Sequence, residues 1–268
     1  MIQITETVKH LLIINVILFV GRFFVPALND LLALHSFYDN RFQWWQLVTH
    51  IFMHGGIFHI LFNMFALVSF GSVMEQFWGS KKFLFFYFSC GVAGALVQGG
   101  VNFFEVTQVI TSMQELGLNV NQIRSVLNVQ FLSGNYYDGS LFEEGIRQVL
   151  GTTDISKVQQ SDFNLLFSTA IDVQTPMVGA SGAIYGLMVA FAFLFPEARL
   201  AMLFLPVPIA AKYFVPGIVA IDLYLALKGS SLFGFGNIAH FAHLGGAAMG
   251  FLIMWYWKRT QFNKNRWN

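Results

Sequence analysis

The chain has 268 residues, of which 56% are hydrophobic, 17% aromatic and only 11% charged. Soluble domains run near about 25% charged, so a surface built for water is excluded, as is disorder, which needs low hydrophobicity and high net charge. A net charge of +1 leaves no nucleic-acid footprint, and one cysteine, Cys90, makes neither an internal disulfide nor a metal site. The remaining class is an all-α polytopic membrane protein.

Span one is predicted over residues 8–25, ending before Pro26. No basic region precedes it and no small-x-small cleavage site follows, the pattern of an uncleaved signal anchor. Residues 27–46 mix polar residues with Leu and Trp and read as a segment lying at the membrane interface. Span two covers 47–77 and span three, after Lys81 and Lys82, covers 83–104. Residues 105–175 form an insertion with amphipathic fragments, expected to make two or three short helices. Ser140 with Glu143 three residues on is a capping-box pattern. Span four covers 179–195 and stops at Pro196. The apolar stretch 200–212, with Pro206 and Pro208, reads as a bend near the surface. Span five covers 213–227, span six covers 238–257, and a basic, polar tail follows. No internal repeat is visible.

These six spans put both termini on one side. That side collects Lys9, Lys81, Lys82, Arg199, Lys212, Lys258, Arg259, Lys264 and Arg266. The insertion carries three basic residues against eight acidic ones. By the positive-inside rule the termini are cytoplasmic and 105–175 is outside. The start of the chain and its basic tail suit a bacterial plasma membrane, with an organelle membrane as the alternative.

Polar residues inside spans are expensive, which makes them informative. Span two carries His54, His59 and Asn63, the last two on one face at i,i+4. The plain reading is a stripe hydrogen-bonding a neighbouring helix. Span four opens Gly179-Ala180-Ser181-Gly182, and Gly182 with Gly186 forms a small-xxx-small pair. Its 17 residues make about 25 Å of helix against a hydrocarbon core of about 30 Å. Ser181 therefore lies within the membrane, at the end of an irregular loop that must line a cavity. Span six carries His240, His243, Gly246 and Gly250. His243 lies along the glycine face, whereas the offset of His240 turns it away. Where the glycine faces of spans four and six meet, Ser181 and His243 have the logic of nucleophile and general base. Asp222, the only carboxylate well inside a span, reads as structural.

Together these residues resemble the rhomboid intramembrane serine proteases. His54-x4-His59-x3-Asn63 is similar to that family's second-span signature, Gly179-x-Ser181-Gly182 to its nucleophile motif, and Ala242-His243-x-x-Gly246-x-x-x-Gly250 to its last-span motif. Tyr185 matches the position whose ring stacks on the family's catalytic histidine. The resemblance covers roughly residues 40–100 and 176–257. In two places the chain departs from the family: Trp45-Gln46 stands where Trp-Arg is common, and the 105–175 loop is unusually long.

The resemblance implies a six-helix rhomboid-like bundle with a short, serine-bearing fourth helix. It implies peptide-bond hydrolysis in the membrane plane, Ser181 attacking and His243 relaying the proton, with no acidic third member evident. The oxyanion donors are expected to be the Ser181 backbone N–H, His59 and Asn63. His54 is expected to brace the external loop, and Tyr185 to hold the His243 ring. The implied partners are transmembrane segments of substrate proteins and the lipid bilayer. No nucleic acid, cofactor or metal is expected, and no oligomeric state is assigned. Competing readings are a non-catalytic relative that binds membrane helices, a metalloprotein using His54, His59, His240 and His243, and a transporter. Against the metal stand the lack of HExxH and of an evident place for Asp222 beside the histidines; against the transporter, the lack of an inverted repeat.

Overall fold

The computed structural model describes residues 3–134, 136–202, 205–228 and 239–264. Ile238, the expected first residue of span six, and Arg266 of the basic tail lie outside the described residues. The chain forms two compact units, one built from 1–32, 47–98 and 178–268, the other from 33–46 and 99–177.

In the first unit, α1 (Glu6–Phe24) begins with backbone N–H groups that its own helix cannot satisfy. Glu75 supplies the acceptors: its carboxylate takes Thr7 N at 3.2 Å, Val8 N at 3.1 Å and the hydroxyls of Thr5 and Ser80. Pro26 separates α1 from the short α2 (Ala27–Leu32). The chain resumes in this unit with α3 (Gln46–Thr49) and a 3-10 turn over His50–Phe52. The sequence places span two from residue 47, yet its long helix starts only at Ile57, because Gly56 is fully extended at φ −163° and ψ 172°. That helix consists of α4 (Ile57–Ala66), a π turn over Leu67–Gly71 and α5 (Ser72–Trp78). Gly79, at φ 76°, takes the left-handed turn that ends it.

Next comes α6 (Ser80–Glu115), 36 residues long, well past the expected end of span three at 104. It meets no proline or glycine between 101 and 116. The serine-bearing helix α10 (Ser181–Leu194) has 14 residues, a little shorter than span four was drawn. After it, β3 (Arg199–Met202) and β4 (Leu205–Ala210) form an antiparallel ribbon with Leu200 opposite Ile209. The expected bend here is thus a two-stranded hairpin, whose open edges tolerate proline. The unit ends with α11 (Ala211–Lys228) and α12 (His240–Lys264). Among the described residues three helices are long and apolar enough to cross a membrane: Glu6–Phe24, Ile57–Trp78 and Ser80–Glu115. Their outer faces are unpartnered apolar rows, such as Ile13, Ile17, Val20 and Phe24 on α1 and Phe58, Leu61 and Phe65 on α4.

Glycines set the closest packing in this unit. A Cβ on Gly250 of α12 would lie 2.7 Å from the Gly186 Cα of α10, and one on Gly246 would lie 2.6 Å from the Gly182 carbonyl carbon. Cys90 of α6 is fully buried, its sulfur filling the space that a side chain at Gly186 would need.

The second unit has its own core. Around the end of α6 stand α7 (Val120–Leu127), α8 (Gly139–Ile155) and α9 (Gln160–Gln174), with a two-stranded ribbon of β1 (Leu132–Ser133) and β2 (Tyr136–Tyr137). Phe131, Phe142, Ile123, Leu127 and Ile146 are completely buried there. Asn119 and Gln122 form a reciprocal capping box on α7. On α8 the cap is Asp138, not Ser140: its carboxylate takes Ser140 N at 2.8 Å and Leu141 N at 3.3 Å. Glu143 pairs instead with Arg147 one turn on, at 2.6 Å.

Gln46, at the expected Trp-Arg position, is buried and ties its loop together. Its amide oxygen accepts from Gln43 N at 3.0 Å and His35 N at 3.3 Å, and its amide nitrogen donates to the Arg41 carbonyl at 3.1 Å. In the same loop, burial pushes the Asp39 carboxyl pKa up. Hydrogen bonds from His35 and Arg41, with the Arg41 charge, more than reverse this and hold it well below the usual carboxylate range.

Candidate active site

The site lies in the first unit, where α4, α10, α11 and α12 contribute side chains. Ser181 is the first residue of α10, so its backbone N–H belongs to the helix start and has no partner within the helix. The loop reaches it through Gly179, at φ 127°, whose N–H donates to the His50 carbonyl at 3.0 Å. Gly179 is required twice over. Its φ is one that side chains avoid, and a Cβ there would lie 2.8 Å from His59 Nε2 and 3.6 Å from Ser181 Oγ. The same small space is therefore bordered by the Ser181 hydroxyl and the His59 ring.

His243, in the first turn of α12, places Nε2 2.7 Å from Ser181 Oγ. The glycine contacts of α10 with α12 bring the two residues together. The Tyr185 ring, one turn beyond Ser181, stacks on His243 with centroids 4.3 Å apart and planes 12° from parallel. On α4, His59 Nδ1 accepts from Gly55 N at 3.3 Å, which assigns its proton to Nε2, the nitrogen facing Gly179. Asn63 Nδ2 donates one hydrogen to the His59 carbonyl at 2.8 Å. The His54 ring meets the His59 ring edge-on at 5.1 Å. The loop before α4 is braced by Arg22 of α1, whose guanidinium donates to the carbonyls of His54 and Gly55. The expected brace was His54, but Arg22 was absent from the sequence reading because a charge at a helix end looks like an ordinary boundary marker.

Two further residues stand beside His243. Asp222 of α11 accepts from His243 Nδ1 through Oδ2 at 2.8 Å and from His240 Nδ1 through Oδ1 at 2.5 Å. Sequence reasoning turned His240 away and gave Asp222 no place among the histidines. One signal was available, since His240 and His243 are i,i+3 and so neighbours on α12. The partner on α11 had none.

Among the described residues, Asp222, His240 and His243 are the group that could hold a metal, with donor atoms within 4.8 Å of one another. The observed N···O separations, 2.5 and 2.8 Å, are hydrogen-bond lengths. Tetrahedral ligands about 2.0 Å from a zinc ion would stand roughly 3.3 Å apart. The triplet is arranged for shared protons.

The sequence profile of a family described as Rhomboid domain matches residues 41–107 and 147–260. An uncharacterized rhomboid protein of Schizosaccharomyces pombe, mitochondrial by its name, is 27% identical over 237 residues, 85% of this chain and 54% of that protein. The rhomboid protease GluP of Bacillus subtilis is 43% identical over 54 residues, 20% of this chain and 11% of its own. Rhomboid protein 1 of Saccharomyces cerevisiae, also mitochondrial by name, is 37% identical over 82 residues, 30% of this chain and 22% of its own. The chain thus spans about half the length of the first relative and smaller shares of the other two.

Proposed function

We propose a function from one premise: this chain belongs to the rhomboid family. It is an integral membrane protein. The proposed activity is hydrolysis of a peptide bond in or near a transmembrane segment of another membrane protein. The observation that carries it is the 2.7 Å approach of Ser181 Oγ to His243 Nε2.

In the proposed reaction the Ser181 O–H bond breaks as Oγ bonds to the scissile carbonyl carbon. The proton passes to His243 Nε2, and the carbonyl electron pair moves to oxygen. That oxyanion meets the Ser181 N–H, His59 Nε2–H and the second amide hydrogen of Asn63; losing one such donor costs about 10²–10³ in kcat. His243 then protonates the departing amine, and water, activated by the same histidine, releases the acyl group. A helical substrate hides its carbonyls in hydrogen bonds, so the segment must unwind before attack.

The proposed topology has six spans, both termini cytoplasmic and 105–175 outside, in a bacterial plasma membrane. The bias of basic residues supports the orientation. Neither cofactor nor metal takes part in the proposed reaction.

A serine-directed fluorophosphonate probe tests the reading. Wild-type protein in detergent or lipid is expected to become labelled, Ser181→Ala is not, and His243→Ala is expected to lose about 10⁶-fold in reporter cleavage. Equal labelling of wild type and Ser181→Ala would remove Ser181 as nucleophile. Loss of cleavage on chelation with labelling unchanged would favour the metal reading instead.

A further inference from the structure

Resting on that reading, we propose that Asp222 is the positioning residue of the site, converting the serine–histidine pair into a serine–histidine–aspartate relay that His240 anchors.

Asp222 stands in an apolar helix between Ile221 and Leu223 and is only 5% exposed. A buried carboxylate is costly unless its oxygens are satisfied. Here each oxygen has its own imidazole, Oδ2 taking His243 Nδ1 and Oδ1 taking His240 Nδ1. A clamp between helices would need one such bond. The arrangement is also directional. A carboxylate only accepts, so His243 must carry its proton on Nδ1 and turn its Nε2 lone pair toward Ser181 Oγ. That is the tautomer proton abstraction requires. When Nε2 takes the serine proton, the imidazolium charge forms 2.8 Å from a fixed negative charge. In a poorly solvated site this attraction is large, and the carboxylate keeps no proton itself. His240 holds Oδ1, so Asp222 cannot rotate away. Tyr185 stacks on the histidine ring and holds its plane.

Asp222→Asn tests this, because an amide in place of Oδ2 donates to Nδ1 and favours the wrong tautomer. The expected result is a kcat lower by about 10²–10⁴-fold, KM within about threefold, and a fluorophosphonate labelling rate falling in step with kcat. A clamp alone would lower thermal stability and leave the labelling rate of the folded fraction unchanged. His240 gives a second arm should Asp222→Asn fail to fold. His240→Ala should lower kcat by a smaller factor at unchanged KM, and His240→Asn, which keeps a donor near the Nδ1 position, should restore it. Wild-type labelling and kcat in folded Asp222→Asn, or no difference between His240→Ala and wild type, would overturn the relay. A wild type that does not label, or labels without Ser181, would instead overturn the protease reading, and the relay with it.

Discussion

The two compact units handle polar groups in opposite ways. The second unit packs Phe131, Phe142, Phe163 and Phe167 ring against ring, and puts ion pairs such as Arg147–Glu143 and Lys157–Asp154 on its surface. The first puts Ile, Val and Phe outside and buries Asn63, Asp222, His240 and His54. Charge on a watery surface is cheap, so in the second unit it mostly caps helices or pairs at the surface, with the buried Asp39, paired to Arg41, the exception. In hydrocarbon it is costly, and while Glu75 caps α1, Asn63, Asp222, His240 and His54 gather around one hydroxyl. The contrast says where chemistry is to be sought.

The largest test of this contrast is Phe142→Ala. The ring contacts Phe131 at 5.0 Å, Phe167 at 5.3 Å and Phe163 at 5.7 Å, and its removal should cost about 3–5 kcal/mol. Hydrogen exchange should quicken in α7, α8 and α9 while α10 and α12 stay protected; equal loss in both would mean that the units share one cooperative core. Next is Gly246→Ala, which sets a methyl against the Gly182 backbone and should cost about 1–3 kcal/mol. Here protection should fall in α10 and α12, and the probe should label Ser181 more slowly because α12 carries His243. Smallest is Arg147→Ala, which breaks an exposed i,i+4 pair and should change stability by only about 0.3–0.5 kcal/mol, less at high salt. A loss above about 1 kcal/mol in chemical denaturation would give that pair a role beyond solvation.

What the sequence revealed was what one helix can say about itself. The spacing of His59 and Asn63, the serine at the start of a short span and the glycine face beside His243 are local patterns. They pointed to the residues that meet in space. The partnership of Asp222 with two histidines joins α11 to α12, and no periodicity within either helix encodes it. The cap at Asp138 was missed because Ser140 with Glu143 imitates a capping box, and a carboxylate two residues earlier reached the same backbone groups. The ribbon at 199–210 was missed because two prolines argue against a strand unless it lies at an edge.

The burial of Cys90 against Gly186 has a practical consequence. These 268 residues carry a single thiol, and that thiol is shielded from water and from membrane-impermeant reagents alike. A cysteine introduced in a loop that water reaches would be the only one of these residues to react with a maleimide applied from one face of the bilayer. The protein thus comes ready for mapping the sidedness of every loop, without first being stripped of its own sulfur.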